Sequence, residues 1–200
     1  GEIGGENLSA REPVNQIRAE AKRLGIACIV ADRGKFLQME KEAGLGTRSQ
    51  GVIAQLREIE YEDIEAVVEN AWIDGRAPLV VALDGITDPR NMGAIIRSAE
   101  CAGIDALFFA RRNSAIVNDV VMKTSAGAAN HLPLDRVANL GDMLLRLKKS
   151  GIAVVGLDGQ ATTTYTQYDF TTPTVIVVGS EGEGMHARTK NLCDTLISIP

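Results

Sequence analysis

No stretch of this sequence approaches the ~20 consecutive apolar residues that a membrane-spanning helix needs, and nothing at its start has the order of a signal peptide. These absences make a cytoplasmic protein, with no membrane partner, the expectation. Cysteine is scarce. Cys28, Cys101 and Cys193 are odd in number and widely spaced, with no C-x-x-C pair, so they read as reduced core thiols. Histidine is scarcer still: His131 and His186 stand alone, so neither a zinc cluster nor a Ser-His-Asp arrangement has its parts, and no metal is expected. The phosphate loops G-x-x-x-x-G-K and G-x-G-x-x-G are missing, which disfavours an ordinary nucleotide-binding enzyme. Basic residues number 21 against 26 acidic ones, a formal net charge of -5. That balance argues against a general nucleic-acid binder, and DNA is not expected as a partner.

What is present is enough hydrophobic content, 45% of 200 residues, for one full domain and part of another. Charge is unevenly spread. Glu58, Glu60, Glu62, Asp63, Glu65 and Glu69 crowd one segment, whereas Arg90, Arg97, Arg111, Arg112, Lys123 and Arg136 punctuate the loops that follow, so a local basic face is compatible with the acidic total.

In chain order, residues 1–12 read as loop, Pro13 to Leu24 as a helix closed by Gly25, and Ile26 to Val30 as a short buried strand. A second helix over Arg33 to Glu42 and a strand over Gln50 to Leu56 complete a small α/β unit, residues 1–57. An acidic linker, 58–76, is predicted to become helical, with Ile64, Val67, Val68 and Trp72 on one face. From residue 77 to 200 strands and helices alternate, beginning with Leu79–Leu83 and ending with Thr195–Ile199. The near-continuous apolar strands predict a parallel sheet with helices on both faces.

Two stretches carry the chemistry. Leu83 to Ala99, L-D-G-I-T-D-P-R-N-M-G-A-I-I-R-S-A, leaves an apolar strand, turns and enters an amphipathic helix. Pro89 biases Asp88 away from helix, and Asn91 is the expected cap. Met92, Ile95, Ile96, Ala99 and Gly103 share a stripe, so Arg97 points outward. Alone it reads as a solvated arginine beside Glu100, but ligands of open α/β sheets bind outside the carboxyl ends of strands, where Asn91 and Arg97 would be. The second stretch, Gly179-Ser180-Glu181-Gly182-Glu183-Gly184, also follows an apolar strand. Its glycines let backbone approach a ligand closely, and its two acids suit a cationic ligand better than a phosphate.

The run D-x-x-x-D-P-R-N-M-G-A-I-I-R-S-A and the run V-V-G-S-E-G-E-G-M resemble, in order, the first and second signatures of the SpoU-type, TrmH-like RNA ribose 2'-O-methyltransferases of the SPOUT superfamily. The resemblance covers nearly the whole chain. It implies S-adenosylmethionine as cofactor, a homodimer, and RNA as partner, with a guanosine of 23S ribosomal RNA as the first substrate and transfer RNA as the alternative. By the same resemblance Arg97 activates the ribose hydroxyl, Asn91 shapes the pocket, and Glu181 holds the first-signature helix, including Arg97, in a buried pair. Gly179 and Ile199, the latter taken as the end of the last strand, would give backbone contacts to the cofactor, and Leu157 would border its adenine. Lys123 and Ser125, in the stretch between the signatures, are candidates to meet RNA phosphate.

The implied fold is of the trefoil-knot type, with its third signature expected after Pro200 and therefore absent from this chain. An L30e-like RNA-binding domain is implied before it. Gln50-Gly51-Val52 resembles that domain's closing segment, with Ser49 in place of the usual His, and the domain is expected to be cut short at Gly1. A guanidinium with a pKa above ~12 rarely gives up a proton, so stabilising the developing alkoxide is the favoured role for Arg97. The rival reading is a non-catalytic RNA- or ribosome-binding protein of the same fold.

Overall fold

The computed structural model describes residues 8–42, 51–53 and 59–200, and the chain divides into two compact units, Gly1–Arg57 and Glu58–Pro200. In the first unit α1 spans Leu8–Arg23 and α2 spans Arg33–Glu42. The first helix starts ahead of the expected Pro13, because Ala10, Arg11 and Glu12 all favour helix and extend it backward. It ends as expected at Gly25, where Ile26 N–H donates to Ala21 O at 2.8 Å and Gly25 N–H to Lys22 O at 3.2 Å.

The buried strand expected over Ile26–Val30 does not form. Ile29 is 85% exposed and Val30 76%, and no strand among the described residues of this unit is there to pair with them. Of the strand expected over Gln50–Leu56, residues 51–53 are not in a strand and the rest lie outside the described residues. The expectation of core thiols is also corrected. Cys28 and Cys101 are exposed and Cys193 is half-buried, since Cys101 falls on the outer face of its helix.

The second unit takes in the acidic stretch. Helix α3 (Ile64–Ile73) is capped by Asp63, whose side chain accepts from Glu65 N–H at 2.9 Å, and it buries Ile64, Val68 and Ala71. Trp72, expected on that buried face, is 43% exposed; the buried stripe runs through Ala71 instead. Then follow β1 (Leu79–Asp84), α4 (Pro89–Cys101), β2 (Ala106–Ala110), α5 (Asp119–Thr124), β3 (Leu134–Val137), α6 (Leu140–Lys149), β4 (Ala153–Leu157), β5 (Thr174–Gly179), α7 (Ala187–Leu192) and β6 (Thr195–Ile197). The helix expected over Asp119–Ala129 stops at Thr124, because Ala126 and Gly127 turn left-handed and a short 3-10 turn, Ala128–Asn130, follows.

All six strands are parallel, in the order β3-β2-β1-β5-β4-β6. Alternate strand residues feed two cores. Val80, Ala82, Phe108, Val154, Val175 and Val177 face Ile64 and Val68 of α3 and Met143, Leu144 and Leu147 of α6. Val81, Leu83, Leu107 and Phe109 face Met92, Ile96 and Ala99 of α4, with Val121 of α5. Burying side chains of this size contributes roughly 1.5–3 kcal/mol each, which is why the apolar runs behave as two-sided strands. Helices α4 and α5 lie very close together at Gly93, where an added Cβ would strike the Thr124 hydroxyl and come within 2.9 Å of Val121 O. Among the described residues no helix is long and apolar enough to cross a membrane.

Candidate active site

The central strands β1 and β5 are neighbours, and their carboxyl ends are in register, Asp84 opposite Gly179. The chain leaves these two ends in opposite directions. From β1 it passes to α4, which packs in the core of one face, and from β5 it passes to α7, whose Leu192 packs in the core of the other. Such a divergence opens a crevice at the strand tips, the place where open α/β sheets bind ligands.

Helix α4 begins at Pro89, with Asp88 as its cap: the Asp88 side chain accepts from Arg90 N–H at 2.8 Å. This corrects the expectation that Asn91 caps the helix. Proline at the first helical position needs no hydrogen-bond partner and forces the preceding residue into the extended conformation a cap requires, which Asp88 has at φ -80°, ψ 119°. Asn91, freed from capping, donates its side-chain amide across the crevice to Glu181 Oε2 at 3.0 Å. The two signatures therefore meet through their side chains.

Glu181 sits in a tight loop. Ser180 N–H donates to Gly184 O and Gly184 N–H to Ser180 O, both at 2.9 Å, so the loop closes on itself like a small hairpin. Gly179 lies beneath it with its backbone against the Gly184–Met185 peptide, and a Cβ there would have no room. The loop is tied down at its far end by His186. Its backbone N–H donates to Asp84 Oδ2 at 2.8 Å, and its Nδ1 lies 2.8 Å from Asp84 Oδ1. Asp84 is buried at the tip of an otherwise apolar strand. It was not foreseen as a site residue; an acid ending an apolar strand was the signal.

The remaining expected residues are distributed as follows. Leu157 ends β4 and is half-buried, pairing with Ile197 of β6. The adjoining Asp158 carries an ion pair with Lys190, which holds its carboxyl below the usual range. Ile199 is not a strand end: β6 stops at Ile197, and Ile199 is 64% exposed. The reason is that β4, the strand with which β6 pairs, ends at Leu157, after which Ser198 N–H bonds Thr163 O at 2.8 Å.

Arg97 is exposed on α4 and makes no ion pair among the described residues; Glu181 is exposed too, so the expected buried Glu–Arg pair is absent. Six residues separate Arg97 from Asn91, which at ~100° per residue sets them about 120° apart on the helix. Glutamate reaches only the nearer of the two. Lys123 is exposed on α5, and Ser125 is buried at its end, its hydroxyl donating to Met122 O at 3.1 Å.

Comparison with known proteins shows the family. Residues 78–200 match the SpoU rRNA Methylase family. The chain is 38% identical over 185 residues to the 23S rRNA (guanosine-2'-O-)-methyltransferase RlmB of Yersinia pestis, covering 91% of this chain and 72% of that protein. To RlmB of Vibrio parahaemolyticus it is 42% identical over 161 residues, 78% of this chain and 62% of that one. The SpoU methyltransferase AviRb from Streptomyces viridochromogenes, solved in complex with AdoMet, superposes with a TM-score of 0.57 and 34% identity, over 62% of this chain and 49% of that chain. The chain thus spans only part of the length of the relatives it matches. With both signatures at one crevice of a parallel α/β sheet, the chain belongs to the SpoU rRNA Methylase family.

Proposed function

We propose that the protein methylates a ribose 2'-hydroxyl of RNA from S-adenosylmethionine, that its target is a guanosine of 23S ribosomal RNA, and that it acts as a cytoplasmic homodimer. The observation that carries this reading is the Asn91–Glu181 hydrogen bond, which joins the two signatures at the β1–β5 crevice. The identity to two 23S rRNA guanosine methyltransferases favours ribosomal over transfer RNA. The finer fold assignments follow the same reading. The second unit is of the trefoil-knot type and the first is an L30e-like RNA-binding domain, supported by the signatures and by Gln50-Gly51-Val52.

The strand tips fit the cofactor. Glu181 and Glu183 supply negative charge suited to a cation, and the missing side chain of Gly179 lets the Gly184–Met185 peptide fold tightly over the strand end, which shapes the loop that carries them. Leu157, Gly179 and the segment at Ile199 would hold S-adenosylmethionine, which supplies an electrophilic methyl group on its sulfonium. The task left to the protein is to position the acceptor and stabilise its charge. Glu181 accepts from the Asn91 amide nitrogen and so fixes the amide's orientation, leaving its carbonyl oxygen to accept from the ribose. Arg97, with no carboxylate paired to it among the described residues, turns its planar fork to the ribose oxygen and the adjacent phosphate as negative charge develops.

The experiment is transfer of labelled methyl from S-adenosylmethionine to protein-free ribosomal and transfer RNA, tested separately, with ribose methylation mapped in RNA from cells lacking the gene. Loss of one ribosomal guanosine modification is expected; loss of a transfer RNA modification instead replaces the substrate, and no transfer to either RNA refutes the enzymatic reading. In Arg97→Lys, turnover is expected to fall by about 10²-fold, as for other preorganised transition-state donors. Near-normal turnover would remove the bidentate role.

A further inference from the structure

The cations of the second unit are sorted by face. Arg76, Arg146, Lys148, Arg188 and Lys190 each have a carboxylate within ion-pair distance, and they lie on or beside the helices α3, α6 and α7. Arg90, Arg97, Arg111, Arg112, Lys123 and Arg136 have none among the described residues, and they lie on α4, on α5, on β3 and on the loop leaving β2. Lys149, at the end of α6, is the exception on the opposite face.

In a chain with 26 acids for 21 bases, partners are plentiful, so unpaired cations concentrated on one side call for an explanation. Stability does not provide one, since an exposed ion pair is worth only about 0–1 kcal/mol. Two of the six are held in place. Arg111 Nε donates to Arg136 O at 2.9 Å, and the Arg136 guanidinium lies over the Tyr61 ring, 5.5 Å from its centre. These contacts orient the side chains without an ion pair, although Glu62, Asp63 and Asp135 line the same pocket as Arg111 and Arg136. The acids on the same elements are Asp88, Glu100, Asp119 and Asp135; Asp88 is turned to the Arg90 amide and Asp135 accepts from Ile64 N–H at 3.0 Å.

We infer that the α4–α5 face is the phosphate-binding face, along which the RNA backbone runs outward from the β1–β5 crevice, past Arg111 and Arg112, toward Arg136. This rests on the RNA-methylating reading for its ligand, and it adds where the strand lies. Lys123 and Arg112, whose side chains make no hydrogen bond among the described residues, contact phosphates rather than bases.

The test compares Arg112→Gln/Lys123→Gln with Arg146→Gln/Lys149→Gln, which removes equal charge from the opposite face. Binding of a fluorescent single-stranded oligoribonucleotide is measured against salt, and sedimentation of each variant is checked. The first variant is expected to bind about tenfold more weakly at moderate salt. Its slope of log affinity on log salt should be shallower by roughly 1.4, two contacts at ~0.7 each for single strands. KM for protein-free ribosomal RNA should rise with kcat unchanged, while the second variant matches the parent protein.

Parental binding by the first variant, or equal losses in both, overturns the inference. So does a change in oligomeric state confined to the first variant, which would assign this face to a second copy of the chain. A parent protein that binds through this face but transfers no methyl supports the face and refutes the enzymatic reading.

Discussion

The Asn91 side-chain amide donates to the Glu181 carboxylate at 3.0 Å across ninety residues of sequence, linking the first turn of α4 to the loop after β5. Both side chains are solvent-accessible, so the bond adds little to folding, at most about 1 kcal/mol. Its value lies in orienting the amide. Glu181→Gln is expected to leave the thermal midpoint nearly unchanged while methyl transfer falls by about tenfold or more; calorimetry alongside turnover checks this, and a large loss of stability with normal turnover would contradict it.

Gly179→Ala should be severe. A methyl group at this position meets the Gly184–Met185 peptide, which is backbone and moves only if the loop is rebuilt. Overpacking of this kind typically costs about 1–3 kcal/mol. Chemical denaturation should register that loss, together with weaker S-adenosylmethionine binding by calorimetric titration.

Asp84→Ala removes the anchor of the loop and leaves the His186 N–H without its 2.8 Å partner. The unpaired donor and the freed loop predict a lower affinity for S-adenosylmethionine at unchanged RNA affinity. Asp84→Asn, which keeps an acceptor for that N–H, should recover part of it.

Acid sensitivity has a definite direction. The Asp194 carboxyl is raised by partial burial, but its ion pair with Lys148 at 2.6 Å and its acceptance from Val154 N–H at 2.8 Å outweigh that and hold it below the usual value. A depressed carboxylate contributes stability at every pH above its unfolded value, near ~3.9, and loses it as pH falls through the lower folded value. Asp194→Asn should therefore narrow the stability gap between neutral pH and pH values below that range. Denaturation midpoints across the acid range test the sign.

The thiols should react unequally. Burial, with the neighbouring Asp194, pushes the Cys193 thiol up to about 11, whereas Cys28 and Cys101 are exposed. At pH 8 Cys193 is thiolate in roughly one molecule in a thousand. Alkylation followed by peptide mass mapping should mark Cys28 and Cys101 first.

The alternating apolar runs of the second unit made its sheet legible, because a strand buried on both faces needs no partner-specific pattern. Ile26–Val30 shows the limit of that signal: five apolar residues satisfy the local rule, but with no strand beside them among the described residues they stay exposed. Asn91 and Glu181 were legible as candidates, while their mutual bond was not, since the sequence says nothing about which of Asn91 and Arg97 the acid reaches. Asp84 and His186 were missed because 102 positions separate them, and only the β1–β5 register brings them together.

The opposite exits of the chain from β1 and β5 leave the crevice bridged by the Asn91–Glu181 side-chain bond and by Asp84, which holds both the ring and the backbone N–H of His186. Both contacts sit above the β1–β5 pairing, so the loop after β5 is held by side chains from the first turn of α4 and from the tip of β1 rather than by strand pairing.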